Sequence, residues 1–156
     1  VMDFPAKPER EEEAPDGLER ALGATPRYVG RSQFDLLVEV DSEDAVRALQ
    51  PDITLLAGVE ARGVIVTARS ADGRYDFVSR FFAPRAGVNE DPVTGSAHCV
   101  LAPFWAARLG KDEMTGFQAS RRGGVVRVRV RGDRVELAGQ AVTVVRGELV
   151  SKQPHQ

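Results

Sequence analysis

The chain has 156 residues, 42% of them hydrophobic and 28% charged, which suits one soluble domain burying roughly 70% of its unfolded surface. With 21 basic residues against 23 acidic ones its formal charge is -2, which excludes the net basic face that non-specific nucleic-acid binding requires. A single cysteine, Cys99, excludes an intrachain disulfide framework, and no apolar stretch approaches a membrane span, so a soluble cytoplasmic protein is expected.

Val1 to Ala6 reads as a short apolar strand ending among Pro5 and Pro8, and the charge run Glu9 to Glu13 as a solvated loop. Asp16, then Leu18 to Leu22 and Gly23, carry the start and stop signals of a short helix. Tyr28 to Ser32 and Phe34 to Val40 predict strands. Ser42 opens a helix through Leu49 that Pro51 stops, and a further helical turn covers Asp52 to Leu56. From Gly63 the period changes. Gly63 to Ala68 is a buried-strand run, Asp72-Gly73 a turn signal, and Tyr75 to Phe82 the returning strand.

A polar loop from Ala83 to Pro92 leads into the apolar stretch Ser96 to Leu109, closed by Gly110. Residues Ala97, Val100, Leu101, Phe104, Trp105 and Leu109 leave this stretch no broad polar face, so it predicts a helix enclosed by a curved sheet. Pro103 inside it removes one backbone hydrogen bond. Val125 to Val130 alternates with arginines, Gly132-Asp133 turns, Val135 to Leu137 returns, and Ala141 to Val145 runs on as another strand. The tail Ser151 to Gln156 is polar and expected to be disordered. No internal repeat is visible, and the class is mixed α and β with antiparallel hairpins prominent.

The chemistry concentrates just before the enclosed helix, in Glu90-Asp91-Pro92-Val93-Thr94-Gly95-Ser96-Ala97-His98. The first N–H groups of a helix have no intrahelical acceptor and sit at the positive end of its dipole. Thr94 can cap this start, Gly95 admits a close ligand, and the amides of Gly95, Ser96 and Ala97 suit a carboxylate or phosphate. Asp91 faces the same place as a candidate acid-base or substrate-orienting group. The same residues also make ordinary helix-start chemistry, so capping alone is the competing reading. The lysine of a P-loop is missing.

The string EDPVTGSAH, preceded by Ser79 to Pro84 and Gly87, resembles the signature of the phenazine-biosynthesis (PhzF-like) isomerase family. The resemblance continues through Leu101 to Trp105, Arg108 to Lys111, Gln118 to Gly124 and Val135 to Ala141, and upstream through Met2 to Ala6. It implies an α+β lobe of the diaminopimelate-epimerase-like fold, a mixed barrel-like sheet around one central helix, with residues 1–156 as the second of two lobes. It further implies a cofactor- and metal-independent isomerase acting by proton transfer on a small carboxylated substrate held between the lobes. Asp91 takes the place of a cysteine in the related epimerases, while Thr94, Gly95, Ser96 and Ala97 form the substrate-binding helix start. The family's principal acid/base glutamate and a partner histidine belong to the first lobe and have no counterpart here. The chain alone is therefore expected to be inactive, completed by the missing lobe or by a second copy, and to form dimers or higher oligomers. A non-enzymatic binding or oligomerisation module built on the same fold is the alternative.

Other reactive residues read as structural. His98 belongs to the packed face of the helix, and Cys99 is a buried thiol eight positions beyond Asp91. His155 lies in the polar tail, Arg121 and Arg122 form a basic turn, and Arg127, Arg129 and Arg131 are the outer face of a strand. Arg80 either pins the Asp91 loop or pairs with Asp91.

Overall fold

Residues 1–148 are described by the computed structural model, so the tail and His155 lie outside the described residues. Nine strands form a single sheet: β1 (Met2–Pro5), β2 (Arg10–Glu11), β3 (Tyr28–Arg31), β4 (Asp35–Glu39), β5 (Gly63–Arg69), β6 (Phe77–Phe82), β7 (Glu113–Gln118), β8 (Gly124–Arg131) and β9 (Arg134–Ala138). Their spatial order is β1-β9-β8-β7-β6-β5-β4-β3-β2. The hairpins are the ones that the turn residues announce. Gly73 has φ 70° between β5 and β6, and Gly132 has φ 59° between β8 and β9, both left-handed values that favour glycine.

Two neighbouring pairs are parallel, β4 with β5 and β6 with β7, and each needs a crossover. The first runs through α2 (Glu43–Ala48), capped by Ser42 Oγ accepting from Ala45 N, and α3 (Ile53–Leu56), capped by Asp52. The second runs through α4 (Gly95–Leu109). The strand period of two then sorts the side chains onto two faces. Phe77 and Phe81 of β6 join Leu37, Met114, Val128 and Leu137 around α4, whereas Val78 and Phe82 turn the other way. There they pack with α2, α3 and α1 (Leu18–Leu22). Helix α4 is thus covered by residues from β4 to β9, and its Val100, Leu101, Phe104 and Trp105 are all buried. This agrees with its lack of a polar face. The architecture is α+β, dominated by the sheet.

Pro103 is accommodated without breaking α4. It has no N–H to give to the carbonyl of Cys99, and the backbone N–H of Lys7 donates there instead at 2.9 Å.

Three sequence expectations need correction. The acidic run holds the two-residue edge strand β2, with Glu9 accepting from the Tyr28 hydroxyl and Glu12 paired with Arg31 at 2.7 Å. The sequence pattern predicts no strand between Gly110 and Gly124, yet β7 lies there, between β6 and β8 in the sheet. Residues 141–145 form no strand: β9 already has β8 on one side and β1 on the other, so no adjoining ladder position is free. No helix among the described residues is long and apolar enough to cross a membrane.

Candidate active site

The segment that enters α4 is pinned before it reaches the helix. Asp91 N donates to Phe81 O at 3.0 Å, which brings the chain back against β6. Arg80 grips Glu90 through two hydrogen bonds, 2.7 and 3.1 Å, while its Nη1 donates to Leu49 O at 2.6 Å. Arg80 is therefore the pin of this loop, acting through Glu90 rather than Asp91. The bidentate geometry and the low exposure of the Arg80 side chain, 12%, make it a firm one.

Asp91 and Thr94 are brought together. The Thr94 hydroxyl donates to Asp91 Oδ2 at 2.5 Å. Thr94 occupies the N-cap position of α4 with extended backbone, φ -112° and ψ 107°, but its side chain makes no capping bond. The expected capping bond is absent, and the hydroxyl is turned to Asp91 instead. Among the described residues, the N–H groups of Gly95, Ser96 and Ala97 have no acceptor. Gly95 and Ser96 are exposed and Ala97 is buried, so two unpaired amides face outward at the positive end of a 15-residue helix.

A second strand closes over this segment. Gln118, the last residue of β7, is fully buried and makes three hydrogen bonds to it: Oε1 accepts from Thr94 N at 2.8 Å, and Nε2 donates to Asp91 O at 2.6 Å and to Thr94 Oγ1 at 3.1 Å. Ser120 Oγ adds a bond to Pro92 O at 2.8 Å. On the other side, Arg62 Nη2 donates to Ser96 Oγ at 3.0 Å while its guanidinium forks onto the buried carboxylate of Asp35. That hydrogen bonding to Asp35 pushes the Arg62 guanidinium further up, so Arg62 stays a fixed cation beside the helix start. The exposed ring of Phe34 lies 5.2 Å from it.

Sequence reasoning did not single out Gln118, Arg62 or Asp35. A signal existed for Gln118: β7 alternates, with Met114, Gly116 and Gln118 turned inward, and a glutamine at an inward position demands partners. Asp35, at the head of an apolar strand, carries a similar signal.

His98 and Cys99 are packed as expected. His98 is fully buried, with Nδ1 2.8 Å from Thr94 O. A carbonyl only accepts, so Nδ1 carries the proton and Nε2 is the bare nitrogen, which has no partner among the described residues. Burial pulls the imidazole down to about 4 against the opposing pull of the Thr94 carbonyl, so it is neutral at pH 7. Burial pushes the Cys99 thiol up, which suits an inert sulfur. Arg121 and Arg122 are exposed.

An open cleft of about 680 Å³ adjoins the helix start, lined by Gly95 and Val93 together with Met2, Leu137, Arg122 and Arg127. Its lining joins the apolar Met2, Val93 and Leu137 to the cationic Arg122 and Arg127, and Asp91 is outside it. The arrangement suits a small anion with an apolar body, presented to unpaired amides beside an oriented carboxyl group.

The family profile of phenazine biosynthesis-like proteins (PhzC-PhzF) matches residues 5–147. An uncharacterized isomerase from Halalkalibacterium halodurans is 51% identical over 150 residues, covering 96% of this chain and 57% of that protein. One from Pseudomonas aeruginosa is 53% identical over 149 residues, covering 96% and 56%. Among solved structures, a PhzF-family protein from Enterococcus faecalis superposes with TM-score 0.81 at 34% identity, covering 91% of this chain and 57% of that one. A PhzC/PhzF protein from Clostridium difficile gives TM-score 0.84 at 35% identity, covering 95% and 56%. The chain spans little more than half the length of these relatives.

Proposed function

This chain belongs to the phenazine biosynthesis-like (PhzC-PhzF) family, and on that premise we propose that it is the second lobe of a cofactor-independent isomerase. The lobe is of the diaminopimelate-epimerase-like kind, and the reaction moves a proton on a small carboxylated substrate. The carrying observation is the start of α4, where Thr94 leaves the amides of Gly95 and Ser96 uncapped and turns its hydroxyl to Asp91. A substrate carboxylate accepts hydrogen bonds from those amides, with Thr94, Ser96 and Ala97 shaping the site. As a carbon acid loses its proton, negative charge spreads towards the carboxylate, where the helix start stabilises it. A proton is returned to a different carbon after the abstracted one has exchanged with solvent, so the product is an isomer and no redox partner is needed. Asp91 is the catalytic group of this lobe. Its complement is a carboxyl base on the first lobe, within hydrogen-bond reach of the reacting carbon.

The test is incorporation of solvent deuterium into a dihydro-hydroxyanthranilate-like acid, with and without a family first lobe added in trans. Incorporation is expected only with both lobes. Robust incorporation by residues 1–156 alone defeats the proposal that the site is split.

A binding or oligomerisation module is the second reading, favoured by one observation. Val142, Val144 and Val145 are 80–88% exposed, and the edge strand β1 exposes Met2 and Phe4 as well. Apolar surface of this kind marks an interface, either to a first lobe or to a second copy of the chain.

A further inference from the structure

We infer that Gln118 is a positioning residue for Asp91, acting through the Thr94 hydroxyl; the inference rests on the placement of Asp91 in the active site. The orientation of the Gln118 amide follows from its partners. Thr94 N–H only donates, so it must face Oε1, and Asp91 C=O only accepts, so it must face Nε2. The second N–H of Nε2 then points at Thr94 Oγ1. A hydroxyl that accepts from Gln118 has one proton to give, and its acceptor is Asp91 Oδ2. The chain of donors therefore runs one way, from Gln118 through Thr94 to Asp91. It holds Oδ2 and leaves Oδ1 without a protein donor among the described residues.

Burial gives this relay its stiffness. Gln118 is fully buried and Thr94 is 8% exposed, so water does not compete for either group. Gln118 also clamps both ends of the segment, the carbonyl of Asp91 and the N–H of Thr94, which fixes the backbone that carries the carboxyl group. The clamp comes from β7, whose parallel pairing with β6 sets Gln118 opposite Ser79. A positioned proton-transfer group loses rate steeply when it is displaced, so a side chain that touches no substrate still sets the rate.

The experiment reads the Asp91 χ1 rotamer by three-bond NMR couplings in the 156-residue chain, and turnover once a first lobe is added. Wild type is expected to hold one rotamer. Gln118→Met removes the relay, and Gln118→Glu reverses it, because a carboxylate takes the Thr94 proton for itself. Both are expected to average the Asp91 rotamer, and Thr94→Ser to keep it single. With the first lobe, kcat is expected to fall by about 10- to 100-fold while KM changes less than about twofold. Thr94→Val removes the hydroxyl of the relay while keeping the shape of the side chain, and its Asp91 rotamer decides the matter if the Gln118 variants do not fold. A single Asp91 rotamer in Thr94→Val or in Gln118→Glu overturns the inference. The rotamer measurement needs no turnover, so an inactive two-lobe mixture counts against the proposed isomerase and leaves the role of Gln118 to be judged separately.

Discussion

The backbone N–H of Lys7 occupies the carbonyl of Cys99 that Pro103 leaves without its helical donor. A proline in a helix interior ordinarily costs about 3 kcal/mol, partly through the abandoned acceptor four residues earlier. Here that acceptor is satisfied by a segment far away in sequence, which also ties the strand-to-strand entry of the chain onto α4. The Lys7 amide is thus expected to exchange with solvent deuterium at least about 100-fold more slowly than the unpaired amide of Ser96. Comparable rates at the two positions contradict this tie.

The legible features were those whose cause is local. The enclosure of α4 shows in a stretch with no polar face, and the Asp91 segment shows in its unusual helix-start chemistry. Strand β7 did not show, because only Met114 and Phe117 in it are large and apolar, and Gly116 faces inward. The Gly116 position is explained only in three dimensions: a Cβ there would meet the ring of Phe77 on the neighbouring strand. Gln118 and Arg62 reach their partners across 24 and 34 residues, through strand pairings that no spacing rule encodes. Residues 141–145 carry β-propensity without forming a strand, since both sides of β9, the strand they follow, are taken by β8 and β1.

His98 makes stability depend on pH in a defined window. Its folded pKa is lowered from 6.5 to about 4, so between these values the unfolded chain binds a proton that the folded chain refuses. The contribution is fully present above pH 6.5 and is lost as pH falls towards 4, by about 3 kcal/mol in total. Urea midpoints of wild type should fall across that window, and more steeply than those of His98→Phe. Parallel profiles for the two proteins would show that the imidazole titrates freely when folded.

Close packing around the Asp91 segment makes Gly124 irreplaceable. A Cβ at this residue, the first of β8, would lie inside the side chain of Val93, immediately before Thr94. Gly124→Ala is expected to destabilise the chain by about 1–3 kcal/mol and to shift the NMR signals of Asp91 and Thr94. Adding Val93→Ala opens the space again and should recover part of the loss. Purely additive destabilisation in the double variant contradicts a steric cause.

Exposed valines and an open sheet edge should drive association of the chain by itself. Val142, Val144 and Val145 carry no charge among them, and β1 has a ladder partner on one side only. Sedimentation is expected to show dimers or larger species, shifted towards monomer by Val142→Lys with Val144→Lys. A wild-type monomer at high concentration rules out these residues as a self-association surface.

Asp91→Asn separates the chemistry of this site from its architecture. The carboxamide still offers an oxygen to the Thr94 hydroxyl, and the Gln118 bond goes to the Asp91 backbone carbonyl, which the substitution leaves in place. Arg80 holds the loop through Glu90 and is equally unaffected. The fold and melting temperature should therefore stay close to wild type. Proton exchange is another matter, because an amide neither takes up nor gives up a proton near neutral pH. With a first lobe supplied, isomerisation should fall by about 10²- to 10⁴-fold, the usual contribution of a positioned general acid or base. A loss confined to KM assigns Asp91 to substrate binding alone, and an unchanged rate removes it from the mechanism.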